Sequence, residues 1–477
     1  MKRKTKIIAT LGPAVATRER IVELVQAGMD VARLNFSHGT HEAHLQLFNW
    51  VREASDDVGR PVAILQDISG PGVRVGTFPG GSVYVPEGAE VTLTPGTREG
   101  SDTHIYVENL ETAELTAGSP IVMADGLITM KTAFASGGSA KAVVVQGGEL
   151  KDHKSVAFPG VHVGLPPVTD KDRVDIEFGQ EIGVDMLAAS FVASGDSMRQ
   201  IKRLVPGVPV IAKIESALGY QNLDEILEEA YGTMVARGDL GVELRFEMVP
   251  RAQKTILSRT NAKARVSITA TEMLESMTHS PRPTRAEVTD VSSAVLDGTD
   301  AVMLSAETAV GEYPIRAVEA MDRICREAEA SPEYGRGPEI EFLEDEARFA
   351  SATAAACVDA ANNLGLEAIC AFTESGSTAR LLSKYRPKAD IYAFTAVDAT
   401  YRRMAIYAGV TPMHFGRVDS TDDMIMGAEK VLLGEGIVME GQGVVMAAGI
   451  PPNQAASTNL MKLHYVGSSA RGVPGSR

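Results

Sequence analysis

Cysteine is nearly absent from this chain: there are three in 477 residues, Cys325, Cys357 and Cys370. They are odd in number and widely separated, which excludes a disulfide framework and a thiolate metal cluster. Each sits in an apolar context and reads as a small core residue of a reducing, cytoplasmic compartment. Long apolar runs are also missing. Nothing approaches the roughly 20 residues a membrane-spanning helix needs, and the basic start MKRKTKIIATLG has too short an apolar stretch for a signal peptide. Positive charge is in deficit. Lys and Arg number 46 against 62 Asp and Glu, a net charge of −16, which argues against nucleic-acid and anionic-membrane partners. An anionic substrate would have to be held by local cations against that background. Internal repeats are lacking, and no low-complexity tail exceeds Gly467–Arg477.

What the chain does have is length and alternation. Its 477 residues suggest two to four domains, and 44% apolar with 23% charged residues is the composition of a soluble globular protein. Short apolar runs alternate with helical patterns at Ile7–Gly12, Val31–Phe36, Val62–Ile68, Met186–Val192, Pro209–Ile214, Met234–Leu240, Arg265–Thr271 and Ala301–Ser305. Eight such strands predict an α/β fold, a (β/α)8 TIM barrel made of residues 1–72 and 168–332. Residues 73–167 are instead rich in Gly, Val and Thr with period-two alternation. Turn pairs at Gly80-Gly81, Gly137-Gly138 and Gly147-Gly148 mark them as an inserted all-β domain. An insertion at a barrel strand's end lies over the active-site face and could act as a lid. After a Pro/Gly/Glu-rich connector (Ser331–Glu341), residues 333–477 read as a C-terminal open α/β domain. It has a helix at Ala347–Leu364 and strands at Ala368–Thr373, Ile391–Thr395 and Gly443–Ala448.

Polar residues cluster where strands end, the place where barrel enzymes build active sites. Five segments qualify: Arg33 to Gly39, Asp67 to Pro71 followed by Arg74, Lys213-Ile214-Glu215, Arg237-Gly238-Asp239, and Thr271-Glu272. Period two aims Lys213 and Glu215 to one side of a strand, and Glu215 with Asp239 makes a plausible Mg2+ or Mn2+ site completed by ligand oxygens and water. Taken singly, each feature has a plainer explanation. A Lys–Glu pair is more often a structural salt bridge, and His38 alone is more often a hydrogen-bonded loop residue. Convergence of five strand ends on cations, carboxylates, an amide and hydroxyls favours function. In the C-terminal segment, Thr373 to Thr378 precedes a helix at Ala379–Tyr385, where free N–H groups suit an anion. An ordinary capped helix explains the local sequence equally well.

Long motifs in order carry a resemblance to a known family. TKIIATLGPA, RLNFSHG, KIES, MVARGDLGVEL, VPRAQKTI, TATEMLESM, PRPTRAEVTDVSSAVLDGTDAVMLSAETAVGEYP, TESGSTARLLSKYRP and a final STN span nearly the whole chain. The sequence resembles pyruvate kinase of the bacterial type. The resemblance implies transfer of a phosphoryl group from phosphoenolpyruvate to ADP, giving pyruvate and ATP, the last step of glycolysis, in a homotetramer. It implies that Arg33 binds the substrate phosphate and that Glu215 and Asp239 hold Mg2+. Gly238, Asp239 and Thr271 would contact the substrate, and Lys213 would stabilise charge on the phosphoryl group and the enolate. Asn35, Ser37, Asp67 and the Ile68 carbonyl match a K+ site. Arg74 and Lys154 match nucleotide-phosphate contacts, with the loop Asn35, Phe36, Ser37 and His38 approaching the nucleotide.

Several positions depart from the family pattern. Glu272 stands where Gln is usual, Ala217-Leu218 follows KIES, and Ser155 and Phe158 differ near Lys154. Gly72 replaces a charged residue: Glu in relatives that need K+, Lys in those that do not. The resemblance tips Thr373, Ser375, Gly376, Ser377 and Thr378 towards a pocket for a phosphorylated effector. The loop Gly449–Thr458 lacks the Trp and Arg of fructose-bisphosphate-activated relatives, so another effector, or none, is expected. Two other readings stay open: a different Mg2+-dependent barrel acting on enolates, and a catalytically silent relative, for which Gly72 and Glu272 are the only support.

Overall fold

The computed structural model describes residues 2–335, 340, 345–450 and 457–468. Much of the expected connector, the middle of the loop at 449–458 and the tail from 469 lie outside the described residues. Eight parallel strands close into a barrel: β1 (Lys6–Leu11), β2 (Val31–Asn35), β3 (Ala63–Asp67), β4 (Met186–Ala189), β5 (Val210–Ile214), β6 (Gly232–Ala236), β7 (Val266–Ala270) and β8 (Ala301–Leu304). Each bonds to its sequence neighbours, and β8 returns to β1. Nearly every strand residue is buried, because strands covered inside and out read as continuous apolar runs. Polar side chains cap several of the surrounding helices, among them Thr17, Thr40 and Ser194. Thr169 and Thr284 complete capping boxes with Asp172 and Glu287.

Two strands stop earlier than their apolar runs suggest. β6 ends at Ala236, and Arg237–Glu243 forms a short helix that buries Leu240. A short apolar run cannot separate strand from helix, and Asp239 in the first turn favours the helix. β4 ends at Ala189, because Phe191 turns the chain with φ 54°.

After β3 the chain enters the β-rich insertion. Its six-stranded sheet runs in the order Val156–Ala157, Pro120–Met123, Ile128–Ser136, Ser139–Gln146, Glu90–Pro95 and His104–Val107. Ser82–Val85 pairs separately with Gly148–Lys151. Gly137 and Gly138, at φ 60° and 78°, make the tight hairpin turn. Gly147 is not at a turn; a Cβ there would stand 2.4 Å from the Val85 carbonyl. The insertion's ends are paired with each other, Val156 N to Val73 O and Val75 N to Lys154 O, both at 2.9 Å. The crossings to the barrel meet at one fully buried carboxylate. Asp172 accepts Gly70 N at 3.1 Å, Thr169 N at 2.9 Å and the Thr169 hydroxyl at 2.7 Å.

The C-terminal sheet has five strands in the order Val410–His414, Asp390–Thr395, Ala368–Phe372, Gly443–Ala448 and Leu460–Tyr465, the last antiparallel. Three were expected. Both missed strands lie at the edges, one carrying Pro412 and the other mostly half-exposed, so neither shows a buried strand's pattern. The long helix is Asp345–Leu364 and the short one Ser377–Lys384. This domain docks on the barrel through a buried ionic cluster. Lys384 Nζ pairs with Asp300 Oδ2 and donates to Asn261 Oδ1 at 2.7 Å, while Arg386 Nη2 reaches Asp300 Oδ1 at 2.9 Å. All three cysteines are buried, and burial pushes their thiols up.

Candidate active site at the C-terminal mouth of the barrel

The ends of β2, β3 and β5 deliver Arg33, Asp67 and Lys213 to one place. Arg33 Nε donates to Asp67 Oδ2 at 2.7 Å, and its Nη1 donates to the Thr10 hydroxyl at 3.0 Å. Lys213 Nζ lies 3.2 Å from Asp67 Oδ1 and 2.9 Å from Glu215 Oε1. Burial pushes the Asp67 carboxyl up, but the two cations outweigh it and leave it below the usual value. Burial opposes the Lys213 charge, yet Asp67 and Glu215 hold the ammonium charged, with its pKa raised.

Charge is not balanced around this pair. Glu215 is 2% exposed. Burial lifts its pKa and Asp239 lifts it further, although Lys213 and the Phe191 N–H, at 2.6 Å, oppose the rise. Asp239 opens to the cleft, and its pKa is also raised, first by burial of its surroundings and then, against Lys213, by Asp125. Two cations, Arg33 and Lys213, thus face three carboxylates, Asp67, Glu215 and Asp239. The surplus negative charge sits on the Glu215–Asp239 side, which suits a divalent cation of the hard, oxygen-binding kind. Among the described residues no cluster of three or more His, Cys, Asp or Glu forms a ready-made metal cage, so a cation here would complete its shell with water or ligand oxygens.

The loop after β7 is braced from below. Thr271 and Glu272 adopt φ 62° and 51°, a conformation costly for a β-branched residue. Arg237 holds it in place, donating from Nη2 to the carbonyls of Thr271 at 2.6 Å and Glu272 at 2.9 Å, and from Nη1 to Asp290 at 2.6 Å. Glu272 itself is exposed.

The loop after β2 is tied down in turn. Phe36 N bonds Asp67 O at 2.9 Å, Ser37 N bonds Asn35 Oδ1 at 3.2 Å, and Lys171 Nζ donates to Phe36 O at 2.6 Å. Ser37 and His38 are exposed. Ile68 O accepts the Ser190 hydroxyl at 2.8 Å and keeps a second lone pair. Asn35, Asp67 and Ile68 are therefore gathered at one rim, each already engaged with the protein. From the insertion, Arg74 Nη1 donates to His153 O at 3.0 Å, and Lys154 Nζ pairs with Asp125 at 2.7 Å. Asp125 acts on Asp239 and Arg74 acts on Asp125, which sets this basic edge beside the cleft.

Ser190, Asp125 and the bracing role of Arg237 escape a sequence reading. Ser190 lies inside the apolar run Met186–Val192 and directly follows β4, a polar strand end like the five singled out, so the break in that run is a usable signal. Asp125 lies in an insertion turn at φ 56°, with no local signal linking it to Asp239. In the C-terminal domain, Thr373 to Gly376 form a compact loop that leads into the helix Ser377–Lys384, whose first turn holds Thr378. Gly376, at φ 85°, gives its N–H to the Thr373 hydroxyl at 2.9 Å. Thr378 pairs with Thr458 at 2.8 Å, and Arg403 donates to Ser375 O at 2.8 Å.

Comparison with known proteins points the same way. Models described as the barrel domain and the alpha/beta domain of pyruvate kinase match residues 2–318 and 351–464. A pyruvate kinase of Geobacillus stearothermophilus is 42% identical over 474 residues, 98% of this chain and 81% of that protein. One from Staphylococcus saprophyticus has the same identity and coverage. One from Staphylococcus aureus strain MRSA252 is 41% identical over 473 residues, again 98% and 81%. With barrel, insertion, C-terminal sheet and the charged mouth all in place, and with identity at this level over nearly its whole length, the chain belongs to the pyruvate kinase family.

Proposed function

We propose that this protein transfers a phosphoryl group from phosphoenolpyruvate to ADP, forming pyruvate and ATP, as the closing step of glycolysis in the cytoplasm. The observation that carries the reading is the buried Arg33–Asp67–Lys213–Glu215 network beside Asp239 at the barrel mouth. Phosphoryl transfer asks little covalent work of side chains. Catalysis is positioning plus stabilisation of charge on the non-bridging oxygens. Arg33 would take the substrate phosphate. Lys213, already held as an ammonium, would face the phosphoryl group and the developing enolate. Gly238, Asp239 and Thr271 would orient the carboxylate end of the substrate.

Glu215 and Asp239 would hold Mg2+ or Mn2+, whose charge when bound polarises the phosphoryl oxygens. Asn35, Ser37, Asp67 and the Ile68 carbonyl would hold K+. Arg74, Lys154 and the loop Asn35, Phe36, Ser37 and His38 would take the nucleotide beneath residues 73–167 acting as a lid on the barrel of 1–72 and 168–332. Residues 333–477 would serve regulation, with Thr373, Ser375, Gly376, Ser377 and Thr378 receiving a phosphorylated effector, in a homotetramer. A coupled assay for ADP-dependent pyruvate formation tests the reading. Metal-dependent turnover of phosphoenolpyruvate without ADP would favour another enolate-handling barrel, and no turnover at all would favour a silent relative.

A further inference from the structure

The Lys213 ammonium has three protons and no acceptor. Besides Glu215 and Asp67, its third partner is the Ser190 hydroxyl, at 2.7 Å. An ammonium can only donate, so Ser190 must accept there, and its single proton goes to Ile68 O at 2.8 Å. Chemistry alone fixes the direction of this chain. Ser190 is 3% exposed and directly follows β4. The next residue, Phe191, is bent to φ 54° and gives its N–H to Glu215. On the other side Gly70 packs so closely that a Cβ there would stand 2.7 Å from Ser190 Cβ. Backbone on both sides therefore places the hydroxyl.

We propose that Ser190 is a positioning residue for phosphoryl transfer: it holds one N–H of Lys213 in the barrel mouth until a substrate oxygen replaces it, and anchors that ammonium to the Ile68 carbonyl. The inference rests on the role given to Lys213 above. All three bonds have an ionised donor, but the two carboxylates add the attraction of a full opposite charge, while the hydroxyl offers only its dipole. The neutral hydroxyl is thus released at least cost. An N–H set in place before charge develops needs no reorganisation at that moment. The contribution belongs to the chemical step and leaves ground-state binding nearly unchanged.

Steady-state kinetics of Ser190→Ala, Ser190→Thr and Lys213→Met, with calorimetry of phosphoenolpyruvate binding in Mg2+, test this. Ser190→Ala should lose about tenfold in kcat with KM for both substrates within about threefold, the pattern of an interaction made in the transition state. Binding stoichiometry should stay that of the parent protein, and Ser190→Thr, which keeps the hydroxyl, should recover most of the rate. A loss of kcat that merely tracks a loss of stoichiometry would make Ser190 a packing residue and overturn the inference. A threonine variant as slow as the alanine one at full stoichiometry would overturn it as well. Normal turnover in Ser190→Ala beside an inactive Lys213→Met overturns it while leaving the role of Lys213 standing. Normal turnover in Lys213→Met removes that role and the inference with it. Gly70→Ala crowds Ser190 from outside and should show the same kcat-selective loss; a folded Gly70→Ala protein with full turnover counts against the proposal.

Discussion

Thr271 Oγ1 accepts the Gly238 N–H at 2.8 Å and donates to Ala270 O at 2.7 Å. Two groups expected to face the substrate are thus bonded to each other. The hydroxyl orders the β6 and β7 ends against one another, and a substrate oxygen must compete for the Gly238 N–H. Thr271→Ala should lower kcat by on the order of tenfold or more, since a positioned donor is lost and a backbone N–H is released. Steady-state rates decide it. Turnover within twofold of normal would confine the hydroxyl to holding the two ends together.

Lys213 is the cation whose loss should be felt most in the chemical step. Lys213→Met should reduce kcat by on the order of 10²-fold or more while changing KM much less. Asp67 would keep Arg33 as a partner, whereas Glu215 would lose its only cation in this network, so a melting curve should accompany the kinetics. Near-normal turnover removes the role.

Glu215 and Asp239 are both raised above the usual carboxylate value, burial being the largest cause, with repulsion from Asp239 adding to it at Glu215 and from Asp125 at Asp239. Protons therefore compete with a bound cation at higher pH than for ordinary carboxylates. The Mg2+ concentration for half-maximal activity should rise as pH falls through these raised values. Glu215→Gln and Asp239→Asn should raise it at all pH. Mg2+ titrations at a series of pH values check this. A requirement that stays flat down to the ordinary carboxylate range, or is unchanged in both variants, contradicts the assignment.

Gly72 supplies no charge where relatives usually carry one, and no heavy atom lies within 4 Å of where its Cβ would be. A vacant cationic position beside a phosphoryl-transfer site is costly in a low-dielectric setting. Activity should therefore depend on K+ or a similar ion, and Gly72→Lys, which has room for its side chain, should relieve the dependence. The measurement is activity in Mg2+ and a bulky quaternary ammonium buffer, titrated with KCl. Full activity at zero K+ argues against the ion, and a lysine variant that still needs K+ argues against charge replacement.

Asp300 joins the barrel to the C-terminal domain. Burial pushes its carboxyl up, but Lys384 and Arg386 outweigh it and hold it below the usual value. A depressed carboxyl contributes stability that is present above its unfolded pKa and lost as pH falls through its folded one. Asp300→Asn leaves two buried cations without their counter-charge and should cost about 3–5 kcal/mol. Denaturant unfolding near neutral pH measures this. A loss under 1 kcal/mol would mean that Lys384 neutralises readily, in line with burial drawing its pKa down to about 8.

The barrel was legible because buried parallel strands advertise themselves as apolar runs, and the charged strand ends because they interrupt those runs. Arg33, Asp67, Lys213 and Glu215 were each visible as types, and the structure brings them within 3.2 Å of one another in a chain of pairs. What stayed hidden depends on bends and distant contacts. β6 stops at Ala236 because a helix turn competes with the strand over the same residues. The edge strands Val410–His414 and Leu460–Tyr465 are too polar, or too interrupted by Pro412, to stand out. Asp125 reaches Asp239 only because a separate sheet carries it there.

The pinning of Gly70 and Thr169 to Asp172 has a consequence for how the chain can fold. To the barrel, everything from Val73 to Val168 is one connection between β3 and β4. A flexible connection grows more costly to close only slowly, about 0.6 kcal/mol for each doubling of its length. Here even that cost is shifted, because the insertion's own ends pair, Val73 with Val156 and Val75 with Lys154, around the isolated antiparallel bridge of Arg74 with Ser155. Once those pairs form, the two ends arrive side by side and the barrel has only a short gap to bridge. Residues can thus be added to or taken from the outer turns of the insertion with little effect on whether β3 finds β4.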